Sequence, residues 1–166
     1  ASHNPPEYNG VKIIEPDGTE MGDEETIRLE GLIADKTLPT KPWDLVGIEI
    51  AAPHLIDEYV QSISNQFLGK PGKSMTIVVD PGSGPACQTT SAILQALGCR
   101  VITINGIMDG TFPGRLPEPS VEGLKGLAAL VVASKAAFGV AHDGDADRAV
   151  FIDENGSFVE ENQEFA

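Results

Sequence analysis

The sequence predicts an α/β fold: a mostly parallel sheet covered by helices, ending in a C-terminal β-hairpin. Three observations carry this. Residues 75–79, 101–104 and 137–141 are compact apolar runs of strand length. The stretches between them carry the 3.6-residue apolar period of helices. A fourth run at 148–152 is followed by Asn155-Gly156, a hairpin dipeptide. Strands that alternate with helices run parallel through right-handed crossovers, and such sheets take ligands beyond the carboxyl ends of their strands.

The elements follow in order. The opening Ala1-Ser2-His3-Asn4-Pro5-Pro6 is polar and turn-rich. Asn9-Gly10 and Asp17-Gly18 are turns around a short strand at 11–14. Asp23, Glu24 and Glu25 make an acidic first helical turn, favourable at the positive end of the helix dipole, and Ile27, Leu29, Leu32 and Ile33 supply an apolar face. Two prolines within 37–42 break the pattern and mark a boundary between domains 1–40 and 41–166. Pro53 opens a helix faced by Leu55, Ile56, Tyr59, Val60, Ile63 and Phe67, which Gly69 and Pro71 stop.

The first strand leads through Asp80-Pro81-Gly82-Ser83-Gly84-Pro85 into a helix faced by Ala86, Ile93, Leu94 and Leu97 and closed by Gly98. That loop lacks the glycine and lysine spacings of phosphate cradles and reads as a structural tight turn. Residues 105–119 form a long loop with three glycines and three prolines, a length usual for functional or interface loops. Ser120 caps a helix whose apolar side is Val121, Leu124, Leu127, Ala128 and Val131. Residues 148–152 and 157–159 are the arms of the terminal hairpin.

Composition narrows the function. A chain of 166 residues suits one ordinary domain with an appendage, and a net charge of −14 argues against nucleic acid and anionic membrane surfaces. No apolar run approaches ~18 residues, so no membrane span is expected, and no signal peptide is visible. Cys87 and Cys99 lack metal spacing and read as buried reduced thiols, consistent with the cytoplasm. His54 has only a structural reading.

The chemistry concentrates in Ala141-His142-Asp143-Gly144-Asp145-Ala146-Asp147-Arg148, where strand becomes loop. Asp143, Asp145 and Asp147 recur at every second position with small residues between them. Held together, three carboxylates repel and need a cation, and oxygen-only ligands select a hard ion such as Mg²⁺. The bland alternative is a solvated acidic turn. An EF-hand count also fits Asp143, Asp145, Asp147 and Glu154, but Arg148 stands where that loop needs glycine and the flanks are strands. Phosphatases of the haloacid-dehalogenase type also place D-x-D after a strand, with the first Asp as nucleophile, yet only residues 148–166 follow to supply the rest of such a site. Arg148 offers a fork for a phosphate, or else a structural partner for the acids. His142 is expected to pack or hydrogen-bond locally.

Two separated motifs carry a resemblance. Residues Ala1-Ser2-His3-Asn4-Pro5-Pro6-Glu7-Tyr8-Asn9-Gly10-Val11-Lys12 resemble the phosphoserine loop of the α-D-phosphohexomutases, the phosphoglucomutase/phosphomannomutase family, and Asp143-Gly144-Asp145-Ala146-Asp147-Arg148 resembles their magnesium loop. Leu116-Pro117-Glu118-Pro119 extends the likeness, which covers the whole chain. It implies a fragment of a four-domain enzyme: residues 1–40 are the end of domain one and residues 41–166 are domain two. It implies that Ser2 carries a phosphate exchanged with a hexose phosphate, with a hexose 1,6-bisphosphate as intermediate or activator. By the same resemblance Asp143, Asp145 and Asp147 hold one Mg²⁺ together with the Ser2 phosphate. Lys12 assists proton transfer or hydrogen bonding beside Ser2, Arg148 helps hold the phosphoserine, and His3 and Asn4 shape the loop. The partners implied are the substrate and the missing domains, with self-association of the exposed remnant as a further expectation. A phosphoglucosamine mutase and a non-catalytic divalent-metal module are the alternatives.

Overall fold

The computed structural model describes residues 4, 5, 7, 8, 10–35, 40–67, 69 and 71–159. It divides into two compact units, one within Asn9–Ala52 and the other comprising Ala1–Tyr8 and Pro53–Ala166.

The larger unit contains a four-stranded sheet in the order β2-β1-β3-β4, with β1 Thr76–Asp80, β2 Arg100–Thr103, β3 Phe138–His142 and β4 Ala149–Ile152. β1 pairs in parallel with both β2 and β3, while β3 and β4 form an antiparallel hairpin. The α/β class is as the sequence predicts, and a C-terminal hairpin is present, its arms β3 and β4 rather than 148–152 and 157–159. The register sets Asp80 beside Ala141 and His142 beside Ala149, so β1 and β3 finish at the same edge.

Alternation along β1 separates the two core layers, as a period of two requires. Val78 joins Leu124, Leu127 and Val131, with Ala141 and Ile152. Ile77 and Val79 face the other way with Val140, against half-buried Leu94, Val101 and Phe151. Helix α3 is Thr90–Ala96 and α4 is Lys125–Ser134. Full burial of each large aliphatic side chain contributes about 1.5–3 kcal/mol.

Several expected boundaries move. β1 and β3 each run one residue further than the apolar pattern, taking in Asp80 and His142. The helix expected from Ala86 to Leu97 is split: a 3-10 turn at Pro85–Gln88 precedes α3, and Thr89 between them is non-helical at φ −120°, ψ −59°. Two adjacent β-branched threonines favour that break. Helix α4 begins at Lys125 rather than near Ser120, because residues 121–124 form a turn whose Gly123 N–H donates to Ser120 Oγ at 3.2 Å. Val121 is accordingly exposed and outside the core. Helix α2, His54–Ser64, stops before Phe67; Ser64 Oγ donates back to the Val60 carbonyl at 2.7 Å, competing with the helical ladder. The expected strand at 157–159 is a single bridge between Ile152 and Phe158.

In the smaller unit, α1 spans Asp23–Ala34 with the predicted acidic first turn. Its Ile27, Leu32 and Ile33 are exposed. The expected strand at 11–14 is reduced to one bridge, Ile14 to Glu20, around a turn in which the Asp17 carboxylate accepts from the Thr19 amide and hydroxyl. Two-residue pairing without a further strand does not propagate. No helix among the described residues is long and apolar enough to cross a membrane.

Candidate metal and phosphate site

The acidic run is the connection of the β3–β4 hairpin. The Asp143 amide donates to the Arg148 carbonyl at 3.4 Å and the Ala146 amide to the Asp143 carbonyl at 3.3 Å, closing a tight loop in which Ala146 takes the left-handed φ of +66°. One carboxylate oxygen from each of Asp143, Asp145 and Asp147 lies within 4.8 Å of the others. Asp143 is buried; Asp145 and Asp147 are exposed. The convergence comes from the tight loop that follows the strand rather than from extended backbone.

Asp143 is held from one side. Its Oδ1 accepts from the Arg148 amide at 3.0 Å, and its Oδ2 accepts from Arg148 Nε and Nη2 at 3.3 and 3.2 Å. This buried, anchored carboxyl is unlike an exposed nucleophile. The other two acids are exposed, with Asp147 Oδ1 3.7 Å from Arg148 Nε and the Asp147 amide reaching Asp145 Oδ1 at 3.4 Å. Loss of solvation, and then the neighbouring charges of Asp143 and Asp145, raise the Asp147 carboxyl above its ordinary pKa. An all-oxygen donor set with one fixed and two adjustable carboxylates fits a hard divalent ion.

Arg148 is shared. Its Nη1 and Nη2 donate to the two oxygens of Glu118 at 3.1 and 2.7 Å, a fork-to-fork pair, while the same guanidinium faces Asp143. His142 is half-buried with Nε2 at 3.0 Å from the Thr90 hydroxyl and Nδ1 at 3.2 Å from the Arg148 carbonyl. Burial pushes its pKa below the ordinary value, opposed by the Arg148 carbonyl and Asp143. Cys87 and Cys99 are unpaired and half-buried rather than fully buried, and burial raises both thiol pKa values.

Of the other expected site residues, Asn4 and Lys12 are among those described. Ser2 and His3 lie outside the described residues. Asn4 is half-buried in the larger unit. Lys12 belongs to the smaller unit, exposed, with its Nζ 3.7 Å from Glu20.

Sequence reasoning missed a second cluster behind the acids. Asp80, at the end of β1, is 1% exposed. Its Oδ1 accepts from the Gly82 amide at 2.9 Å, and its Oδ2 accepts from Asn105 Nδ2 and Arg115 Nε, each at 3.0 Å. The rest of the Arg115 fork is used as well: Nη1 donates to the Leu116 and Pro117 carbonyls, and Nη2 to the Asp80 and His142 carbonyls. The long loop at 105–119 was the available signal, since it supplies Asn105, Arg115 and Glu118.

Comparison with known proteins gives this arrangement its context. The family model described as phosphoglucomutase/phosphomannomutase, alpha/beta/alpha domain II, matches residues 57–156, and that for domain I matches residues 1–39. A phosphoglucomutase/phosphomannomutase of Thermococcus kodakarensis is 43% identical over 100% of this chain and 37% of its own length. A probable phosphoglucosamine mutase of Methanopyrus kandleri is 42% identical over 96% of this chain and 35% of its own. A solved family protein from Burkholderia thailandensis superposes with a TM-score of 0.75 at 29% identity, covering 95% of this chain and 33% of that one. The chain thus spans about a third of the length of the proteins it matches.

Proposed function

The chain belongs to the phosphoglucomutase/phosphomannomutase family, and on that premise we propose that it carries the phosphoserine loop and the magnesium loop of a phosphohexomutase. Residues 1–40 serve as the end of the first domain and residues 41–166 as the second. The observation that carries the reading is the convergence of Asp143, Asp145 and Asp147 at the carboxyl end of a parallel sheet.

The reaction is an intramolecular exchange of phosphate between the 1- and 6-positions of a hexose phosphate. A sugar hydroxyl attacks the phosphorus held on Ser2, the new O–P bond forms as the Ser2 Oγ–P bond breaks, and the hydroxyl proton leaves to a base. The bisphosphate then returns its other phosphoryl group to Ser2. Asp143, Asp145 and Asp147 hold Mg²⁺, which supplies charge neutralisation for the moving group. Arg148, fixed by Asp143 and Glu118, lends positive charge beside it, and Lys12, His3 and Asn4 serve the serine loop. Glucose and mannose phosphates are the proposed substrates; the amino-sugar alternative keeps its support from the relative named a probable phosphoglucosamine mutase. The unpaired thiols suit the cytoplasm.

The chain alone is expected to lack mutase activity, since its relatives use about three times its length. Intact mass spectrometry after incubation with a hexose 1,6-bisphosphate and Mg²⁺, with the longest chain bearing these residues, tests the proposal. A phosphate adduct on Ser2, lost in Ser2→Ala, is the expected result. Tight divalent binding without any adduct would favour the non-catalytic metal module, and turnover of glucose 1-phosphate by the 166 residues alone would contradict the expectation that they are inactive by themselves.

A further inference from the structure

The buried cluster around Asp80 and Arg115 meets the acid loop at two backbone points. Arg115 Nη2 donates to the carbonyl of His142, the residue immediately before Asp143. Gly84 abuts the loop itself: a Cβ there would lie 2.6 Å from the Gly144 carbonyl oxygen. Gly82 makes room for the guanidinium, because a Cβ there would lie 2.6 Å from Arg115 Nη2. Arg115 is only 9% exposed and its side chain is charge-paired with Asp80. A fully donated guanidinium is a rigid fork, pre-organised by its planarity.

We propose that Arg115 and Gly84 are positioning residues of the metal site, setting the backbone on either side of Asp143 so that the three carboxylates converge. The role rests on the metal reading above. It assigns work to the 80–85 turn and the 105–119 loop, which contribute no ligand themselves. Partners that orient metal ligands without binding the ion typically change affinity about 10–100-fold when altered.

The test uses the 166-residue chain with Mn²⁺ as probe, read by EPR of the free ion, and backbone amide NMR of residues 143–148. Wild type binding Mn²⁺, with loss in D145N/D147N, is the expected baseline; no binding by wild type would overturn the metal reading and this role together. Given that baseline, Arg115→Lys keeps the positive charge beside Asp80 but cannot reach Asp80 and the His142 carbonyl with one planar fork. It is expected to weaken Mn²⁺ about tenfold or more and to shift the 143–148 amides. Arg115→Lys that binds Mn²⁺ as wild type does, even with a lower unfolding midpoint, would overturn the positioning role and leave the metal reading intact. Should that variant fail to fold, Gly84→Ala decides, since it presses on the Gly144 carbonyl without removing the ion pair: weakened Mn²⁺ supports the proposal and unchanged affinity refutes it.

Discussion

Asp80 and Asp143 lie at the ends of neighbouring parallel strands, both buried, but the charges around them are handled differently. Asp80 is answered entirely from within the protein, by the Gly82 amide, Asn105 and Arg115. Asp143 shares Arg148 with Glu118, and two further carboxylates, Asp145 and Asp147, crowd it from the solvent side. The first cluster is closed, with donors matched to acceptors. The second carries more negative charge than its one arginine offsets. A closed cluster holds architecture, whereas an open one of like charges has room for a cation.

The largest expected effect breaks the closed cluster. Arg115→Met leaves Asp80 charged, buried and without its cation, and is expected to cost about 3–5 kcal/mol of stability in urea unfolding. The double variant Asp80→Leu/Arg115→Met should recover most of that loss, because the cost lies in the stranded charge rather than in the missing pair. Equal destabilisation of single and double variants would show that packing, not charge, is what Arg115 provides.

Next comes the open cluster. Mg²⁺ or Mn²⁺ should raise the thermal midpoint in a concentration-dependent way, the stabilisation reaching about 2.7 kcal/mol when the ion is in hundredfold excess over its dissociation constant. Asp145→Asn/Asp147→Asn should abolish the rise while leaving the metal-free protein no less stable. Differential scanning calorimetry with and without chelator measures both.

A smaller effect separates the two modes of neutralisation by pH. Asp147 has a raised pKa, from lost solvation and then from Asp143 and Asp145, so the folded state holds its proton more tightly than the unfolded chain. In chelator its contribution therefore becomes unfavourable as pH rises from the ordinary 3.8 through the raised value, and stays so at neutral pH. Asp153 is the opposite case: backbone donation from Ser157, with help from Asn155, lowers its pKa. Its contribution is full above 3.8 and is lost as pH falls through the lowered value. Melting curves across this range should lose the first trend in Asp147→Asn and the second in Asp153→Asn.

The smallest effect is expected from Glu118→Gln. The Glu118–Arg148 pair is about half-exposed, where ion pairs add little to stability. The variant should melt close to wild type yet bind inorganic phosphate more tightly, because Arg148 is released from its carboxylate. Phosphate binding below wild type would mean that Glu118 aims Arg148 instead of competing for it.

Much of this protein is local, and local order is legible. Apolar runs of strand length, the acidic start of α1, the Asn155-Gly156 turn and the spacing of Asp143, Asp145 and Asp147 all follow from neighbours in the chain. They were enough to predict the α/β class and to place the acids at a strand end. Boundaries slipped where short-range chemistry competed, as at Thr89 and at Gly123, where turns displaced helix.

What tertiary structure alone decided is which charges meet. Asp80 finds Arg115 across 35 residues, and Arg148 finds Glu118 across 30. No spacing rule encodes such pairings; they exist because β1 and β3 end side by side and the 105–119 loop is drawn across that edge. An aspartate after a strand looks the same in sequence whether it is sealed by a guanidinium or left facing water. Only burial and the reach of a distant side chain separate the one that braces the sheet from those left facing solvent.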